Sequence, residues 1–366
     1  MKLVIKREPF LKAFNRAAIA APARSNKPAL TNVLLTASNG DSSLQATDME
    51  IAIRVGLSAK EMDIEQGGKV LLPAALFGAM LKESADESLR LDLDAKHNLQ
   101  VRGQRTGHKI GTAAVDEFPA VGSDNALQPV SIPAPMLSYA LRSLHQIAGE
   151  NTRYILNCVL VAVSEKSVSF VSTNGSVMGV VEHSAAGGEG GESLLPSNAA
   201  KSLSRALADE QGDVVAGVVG NWLHARIGDL LFTSRLAEGR FPRWRDVFPA
   251  RQAITVYAPV GPLLAAVREA TLTNLSEETG SAEISLADGQ LVISSKSGVG
   301  ESSAAIPVAY DGKPFSIWLN WRYLTACLNA FPPDCDVALK LDTPTSPMVI
   351  DRDNTAFVIM PHSPEG

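Results

Sequence analysis

The stretch that decides the fold of this chain is Pro9-Phe10-Leu11-Lys12-Ala13-Phe14-Asn15-Arg16-Ala17-Ala18. Its apolar side chains recur every three to four residues, which predicts an amphipathic helix that begins at the proline. Proline suits a first helical turn because its φ is already helical and its missing N–H would have no partner there. The same pattern follows Pro135 and Pro262, at offsets of 126 and 127 residues. The sequence therefore predicts three copies of one unit.

Other landmarks keep the same register. Ala46-Thr47-Asp48 corresponds to Ser172-Thr173-Asn174, again 126 residues apart. A second helix is predicted after Leu71-Leu72-Pro73, after Leu194-Leu195-Pro196 and after Leu319-Asn320. A repeat of this length is a whole domain, since solenoid repeats span roughly 20 to 50 residues. The predicted domains are residues 1–122, 123–250 and 251–366.

The segments between the helices read as half-buried strands. Every second residue from Met49 to Val55 is apolar, and the same alternation runs from Leu89 to Leu93. This period of two is typical of antiparallel sheets with one face on the core and one in solvent. Two helices among such strands predict an α+β fold in which each domain packs two helices on antiparallel sheet.

Composition and motifs exclude several classes of protein. No apolar run approaches the roughly 20 residues that span a membrane, and the first residues lack the apolar stretch of a signal peptide. Cys158, Cys327 and Cys335 form no paired motif, which favours a cytoplasmic protein with reduced thiols. The six histidines lack metal-ligand spacing, and no nucleophile elbow or dinucleotide-binding glycine motif occurs. We predict no catalytic residue, no metal and no cofactor.

Charge differs along the chain. The first domain has 16 Lys and Arg against 14 Asp and Glu, the second 10 against 12, and the third 7 against 13. A chain that is basic at one end and acidic at the other can associate head to tail. Ordinary surface variation explains the same numbers equally well.

The helices carry basic side chains opposite their apolar faces. Taken singly, each is a solvated surface residue; taken together, they form a basic surface on an acidic protein, suited to nonspecific attraction to phosphate. The candidate DNA-binding residues are Lys12, Arg16, Arg24, Lys82, Arg142, Lys201, Arg205 and Arg322.

Several motifs resemble one family. Thr47-Asp48, Arg153-Tyr154-Ile155-Leu156-Asn157, Glu238-Gly239-Arg240-Phe241-Pro242 with Trp244-Arg245, and Met360-Pro361 occur in the order seen in bacterial DNA polymerase III β subunits, the sliding clamps. The Gly-Arg-Phe-Pro segment is the most specific of them. The resemblance covers the whole chain.

The resemblance implies a function without catalysis. It implies a head-to-tail homodimer whose six similar domains form a ring around double-stranded DNA, with the helices lining the hole. Such a ring acts as a replication processivity factor, because closure keeps it on DNA while contacts through water carry no base information. The implied partners are the replicative DNA polymerase alpha subunit, the clamp loader and repair proteins.

The resemblance also implies two protein-binding sites. An apolar groove with a few polar groups suits short linear peptides. Its implied residues are Leu156, Thr173, Gly175, Pro242, Val247, Asn320, Tyr323, Ser346, Val358, Met360 and Pro361. The implied dimer interface joins an edge strand of the first domain to the third domain through Arg102, Arg105, His108, Ile110, Leu272, Leu275, Glu277, Glu278 and Glu301.

Three departures from the family pattern keep alternatives open. Asn174-Gly175-Ser176-Val177-Met178 replaces a usual Asp-Gly-His-Arg-Leu, Asp246 stands where arginine is common, and the tail after Pro361 lacks the usual Met-Arg-Leu. One alternative is a divergent clamp paralogue that serves a dedicated partner. A more distant alternative is an enzyme on a repeated α+β scaffold.

Overall fold

The computed structural model describes residues 1–120, 130–149, 154–184, 190–274 and 280–362. Within these ranges the helices are α1 Arg7–Ala18, α2 Ala74–Glu83, α3 Ala134–Leu144, α4 Ser197–Ala206, α5 Val260–Ala270 and α6 Trp321–Leu328. The strands are β1 Lys2–Lys6, β2 Asn32–Ala37, β3 Ser42–Thr47, β4 Ile51–Leu57, β5 Met62–Gln66, β6 Gly68–Pro73, β7 Ser88–Leu93, β8 Asn98–Arg102, β9 Gly107–Gly111, β10 Val130–Pro133, β11 Cys158–Val163, β12 Ser167–Thr173, β13 Val177–Ser184, β14 Gly191–Pro196, β15 Asp213–Val219, β16 Trp222–Ile227, β17 Leu230–Arg235, β18 Ile254–Pro259, β19 Ser281–Ala287, β20 Gln290–Ser297, β21 Gly300–Pro307, β22 Phe315–Asn320, β23 Asp336–Leu341, β24 Met348–Arg352 and β25 Thr355–Ile359.

Each helix follows directly from a strand. The helices α1, α3 and α5 begin at Arg7, Ala134 and Val260, so a start at the three prolines is one or two residues late. The last strand residue supplies the extended backbone of the N-cap, as at Lys6 with φ −78° and ψ 117°. Proline then falls inside the first turn, where its missing N–H costs no helical hydrogen bond.

The apolar stripe predicted for α1 is buried at Phe10, Phe14 and Ala17 and half-buried at Leu11 and Ala18. Phe10 and Phe14 are both fully buried, and they pack with Phe77 of α2 at ring-centroid distances of 6.3 and 5.4 Å. The helix lies on β3 and β4. The predicted α+β fold, with pairs of helices on antiparallel sheet, is confirmed.

The chain divides into two compact units. The first consists of Met1–Ser138 and Ser202–Leu236, and the second of Tyr139–Lys201 and Ala237–Gly366, of which the structure describes the ranges given above. The middle of the sequence thus contributes to both units. The three-domain boundaries of the sequence analysis stay a prediction.

Each unit contains one eight-stranded antiparallel sheet that combines two sequence repeats. In the first unit the order is β10-β15-β16-β17-β4-β3-β2-β6, and in the second it is β14-β11-β12-β13-β25-β24-β23-β18. Four strands of one repeat meet four strands of the next at the β17–β4 pair and at the β13–β25 pair. Phe232 lies opposite Ile53 in the first pair, and Phe357 lies opposite Gly179 in the second.

Each unit also has a smaller sheet with two unpaired end strands, and one of the two, β9 in the first unit and β21 in the second, is the counterpart of strands that pair at the joints. The first unit has the order β5-β1-β7-β8-β9, and the second has β21-β20-β19-β22. By its place in the repeat, β9 corresponds to β17 and β25, whereas β21 corresponds to β4 and β13. The two edges are therefore the counterparts of strands that pair with each other at both joints within the chain.

Met49 does not share the strand face predicted for it. Its backbone has a φ of 83°, its side chain is 45 % exposed, and β4 begins two residues later at Ile51. The reason is a local turn: Thr47 and Asp48 hold the backbone of residues 49 to 51 by side-chain hydrogen bonds.

Candidate functional site

The helices are more basic than the rest of the chain. Across the six described helices the sequence places nine basic and three acidic residues, leaving 24 basic and 36 acidic residues elsewhere. The acidic residues are Glu8, Glu83 and Glu269. The basic residues are Arg7, Lys12, Arg16, Lys82, Arg142, Lys201, Arg205, Arg268 and Arg322. This segregation gives an acidic protein a set of basic helix faces.

Most of the predicted DNA-binding cations lie on exposed positions. Lys12, Lys82, Arg142, Lys201 and Arg205 are exposed on their helices. In α4 the last two stand one turn apart, opposite a buried apolar face. At exposed positions the charged ends of these side chains lie at the protein surface, where a polyanion can approach them.

Arg24 and Arg322 differ in setting. Arg24 is exposed in the segment that follows α1. Arg322 is half-buried, and its guanidinium lies 4.6 Å from the centre of the Trp321 ring, within cation–π range.

Arg16 is engaged within the protein. Its guanidinium lies 3.0 Å from a carboxylate oxygen of Glu210 and 3.3 Å from one of Asp229, and its side chain is 14 % exposed. These partners follow α4 and precede β17, so the ion pair ties α1 to later segments of the first unit. Because its charge is compensated there, the DNA contact proposed below rests on the other cations.

Arg142 stands at the corresponding place in α3 without a carboxylate beside it in the cavity that it lines. That cavity has a volume of about 480 Å³, and its lining includes Tyr139, Gln146, Asn329 and Pro333. Burial raises the pKa of Tyr139, which donates a hydrogen bond to the Thr355 hydroxyl at 3.3 Å. The cavity wall is thus a mixture of polar and apolar side chains and carries one cation, Arg142.

The Thr-Asp and Thr-Asn motifs build the same turn. The hydroxyl of Thr173 donates to the carbonyl of Val177 at 2.8 Å and accepts from the amide of Gly175 at 3.1 Å. Thr47 makes the corresponding bonds in its own turn at 2.6 and 3.0 Å. Asn174 accepts two further backbone N–H groups. The Thr173 hydroxyl therefore shapes the turn, and its contact with a partner peptide stays a prediction.

An apolar cluster in the second unit contains two of the predicted groove residues. Val358 is buried and Val247 is half-buried, and both pack with Phe241 and Trp244 of the Gly-Arg-Phe-Pro segment. Pro242, in the same segment, is exposed. This segment therefore anchors itself through its aromatic side chains and presents its proline to solvent.

The end of the described chain crosses the same end of the sheet. The amide of Met360 donates to the carbonyl of Ser176 at 2.8 Å, and the amide of His362 donates to the carbonyl of Trp318 at 2.7 Å. The Met360 side chain is 41 % exposed. Residues 360 to 362 thus connect the Thr173 turn to β22, which runs into Asn320.

The remaining groove residues are partly or fully accessible. Asn320 is the N-cap of α6, and its side chain accepts the amide of Arg322 at 2.9 Å. The residues that are half-buried are Leu156, Tyr323, Ser346 and Pro361, and the exposed residue is Gly175. All eleven predicted groove residues belong to the second unit.

Those predicted dimer residues that the structure describes lie on or beside the edges β9 and β21. Arg105 and His108 are exposed at β9, whereas Ile110 is buried. Arg102 donates a hydrogen bond to Gln100, which lies two residues earlier on the same face of β8. Leu275, Glu277 and Glu278 lie outside the described residues.

On the other edge, Glu301 of β21 forms an ion pair with Lys296 across the hairpin. Leu272 is 64 % exposed next to this strand. Sequence reasoning missed Val299, which is 82 % exposed in the β20–β21 turn. An apolar residue between two glycines was the available signal.

Two of the three cysteines are buried. Burial raises the pKa of Cys158 to about 11 and also raises the pKa of Cys327, so both thiols resist ionisation. Among the described residues, no group of three His, Cys, Asp or Glu side chains could hold a metal ion. In the same residues no helix is both long and apolar enough to cross a membrane.

Comparison with known proteins identifies the family. The family model of the DNA polymerase III beta subunit matches in three parts: its N-terminal domain over residues 1–122, its central domain over 142–243 and its C-terminal domain over 245–363. The chain belongs to the DNA polymerase III beta subunit family. The resemblance inferred from the motifs is confirmed.

Relatives in this family align from end to end. The beta sliding clamp of Proteus mirabilis is 29 % identical over 99 % of both chains, and that of Synechococcus elongatus is 29 % identical over 96 % of this chain and 95 % of the relative. The sliding clamp structure from Bacillus subtilis has a TM-score of 0.89 at 20 % identity, covering 99 % of each chain. The clamp from Pseudomonas aeruginosa bound to griselimycin has a TM-score of 0.89 at 24 % identity over 99 % of each chain. The fold of this beta-subunit family is thus retained at low identity.

Proposed function

We propose that two copies of this chain close into a ring around double-stranded DNA and act as a replication processivity factor. The observation that carries the proposal is the pair of unpaired edges β9 and β21. Their counterparts pair at both joints within the chain, as β17 with β4 and as β25 with β13. Pairing of β9 with β21 of a second copy would repeat this joint, and would satisfy the open edge N–H and C=O groups.

The basic helix faces support DNA as the enclosed partner. Cations on the helices give attraction to phosphate at many points, and phosphate contacts carry no sequence information. Such contacts leave no deep energy minimum at any base pair, so the protein slides. Retention then depends on ring closure and not on affinity.

The cluster around Val247, Val358 and Met360 supports a second role in protein binding. A partly exposed methionine and an exposed proline beside a buried apolar cluster suit an apolar peptide motif. We propose that the polymerase alpha subunit, the clamp loader and repair proteins dock there in turn. The protein itself contributes no catalysis and works in the cytoplasm, where the chromosome is replicated.

One observation favours the alternative of a divergent paralogue with a dedicated partner. Val177, which replaces the family arginine, is 2 % exposed and pairs with Ile359. A buried valine cannot contact an acidic motif residue as an arginine can, so the preferred peptide would be more apolar than that of typical clamps.

The experiment that tests the ring compares how well the protein is retained on closed and on cut DNA. The protein is loaded by its cognate clamp loader onto a nicked DNA circle, the loader is removed, and the circle is either left closed or cut. Retention on the closed circle with loss from the cut circle is expected. Equal retention on both DNAs would refute enclosure, and so would a monomeric mass by sedimentation across all concentrations.

Charge variants test the helix faces. The Lys201→Gln and Arg205→Gln double variant should load less well, and the slope of log affinity against log salt should fall by about 1 per lost phosphate contact. Lys60→Gln with Lys96→Gln is the matched control, because both lysines are exposed in turns and neither belongs to a helix. An equal loss in the control would contradict the assignment.

Peptide binding is tested separately. Met360→Ala should abolish stimulation of the polymerase and leave the dimer mass unchanged. If the variant instead loses the dimer, the assignment of Met360 to the peptide groove is wrong.

A further inference from the structure

The β17–β4 joint shows how a helix is tied to the neighbouring repeat. At the β17–β4 joint, α1 packs on β4 and its Arg16 reaches Asp229, which lies in the tight turn before β17. The amide of Gly56 in β4 also donates to the carbonyl of Asp229 at 2.9 Å. The turn before the partner strand is therefore held by the last turn of the helix that lies on the joint.

The unpaired edge β21 has the same surroundings on its own side. The helix α5 packs on β20 and β21 as α1 packs on β3 and β4. With Pro9 aligned to Pro262, an offset of 253 residues, Phe14 corresponds to Val267 and Arg16 to Glu269. The position that holds a cation in α1 thus holds a carboxylate in α5.

The turn before the edge β9 has the opposite change of charge, from a carboxylate to a cation. The turn before it is closed by a hydrogen bond from the Gly103 amide to the Thr106 carbonyl at 2.9 Å, with Gln104 and Arg105 at its centre. In the turn before β17 the second central residue is Asp229; here it is Arg105. Both members of the pair have therefore changed sign.

We infer that Glu269 of one copy forms an ion pair with Arg105 of the partner subunit, in place of the Arg16–Asp229 pair found inside the chain. This inference rests on the proposed ring. Glu269 and Arg105 are both exposed, and in the described residues neither has an ion-pair partner within 4.0 Å. Arg16, whose joint is already formed, is only 14 % exposed.

The inverted sign gives the joint between copies its own specificity. A β9 edge that approached β4 would set Arg105 against Arg16, and a β17 edge that approached β21 would set Asp229 against Glu269. Like charges brought together at an interface oppose association. The free edges are therefore matched to each other and mismatched to the strands of the β17–β4 joint.

The test is a charge swap followed by analytical ultracentrifugation of the full-length protein. Glu269→Arg and Arg105→Glu should each raise the dimer dissociation constant about tenfold or more, because each places like charges together. The variant with both changes should recover most of that loss. Charge-matched controls are Asp311→Arg and Lys96→Glu, which lie in exposed turns and should leave the constant unchanged.

The outcomes separate the ion pair from the ring. A wild-type dimer whose constant is unmoved by either single change, or whose double variant is no better than the singles, overturns the ion pair and leaves the ring intact. A wild-type monomer overturns both. Circular dichroism of each variant establishes that a lost dimer does not reflect a lost fold.

Discussion

Gly179 is the point at which the second eight-stranded sheet is most sensitive to a single methyl group. A Cβ built there would lie 2.6 Å from Leu144, 2.7 Å from the Phe357 ring and 2.9 Å from Ile147. Those three side chains are 0 to 2 % exposed and cannot turn toward solvent. Its φ lies outside the left-handed region, so the effect of Gly179→Ala is steric.

Gly179→Ala should destabilise the second unit by about 2 to 3 kcal/mol. Overpacking a tight core costs about 1 to 3 kcal/mol, and three immobile contacts put this site in the upper part of that range. Urea unfolding followed by tryptophan fluorescence measures it, because Trp244, Trp318 and Trp321 all belong to this unit.

The matched control is Gly191→Ala in β14, where an added Cβ would meet nothing within 4 Å. Adding Phe357→Leu to Gly179→Ala should recover part of the loss, since the shorter side chain vacates space beside the new methyl group. If Gly179→Ala and Gly191→Ala lie within about 0.5 kcal/mol of each other, the size of an ordinary surface effect, the packing argument is wrong.

Two further predictions concern the ion pair and the thiols. Glu210→Gln should lower the free energy of unfolding by about 1 to 2 kcal/mol and Asp229→Asn by less than about 0.5 kcal/mol, because Glu210 is 21 % exposed and Asp229 is 54 % exposed. Urea unfolding of the two variants measures this order, and the reverse order would contradict the argument. With a thiol reagent at pH 8, Cys335 should react first, because burial raises the pKa of both Cys158 and Cys327; faster labelling of Cys158, read by mass spectrometry of peptides, would contradict this.

The local structure could be predicted from the sequence, because it depends on periodicity. Phe10, Phe14 and Ala17 of the predicted helix stripe are buried as expected. Of the alternation from Leu89 to Leu93, Leu89 and Leu91 are buried and Leu93 is half-buried. The predicted helix starts lie one or two residues after the observed ones, since an extended strand residue can serve as N-cap without a capping side chain. Met49 was assigned to a strand because a side-chain-held turn breaks the period without changing the apolar pattern.

The contacts between repeats could not be predicted in this way. Arg16 and Asp229 are 213 residues apart, and nothing in their neighbours along the chain marks them as partners. The same holds for the register of β13 against β25, where Gly179 faces Phe357. Such pairs depend on tertiary geometry, whereas the groove residues came from motifs that a family preserves in order.

The two eight-stranded sheets also bear on how a closed ring could be threaded. Each fuses neighbouring repeats by a continuous ladder of backbone hydrogen bonds over a buried core, so those joints separate only if a unit unfolds. In a ring of two chains, the β9–β21 seams would differ from these joints, because each seam joins two separate polypeptides. A clamp loader that strains the ring would therefore open it at a β9–β21 interface. Opening one of the two interfaces is sufficient for DNA to enter the ring.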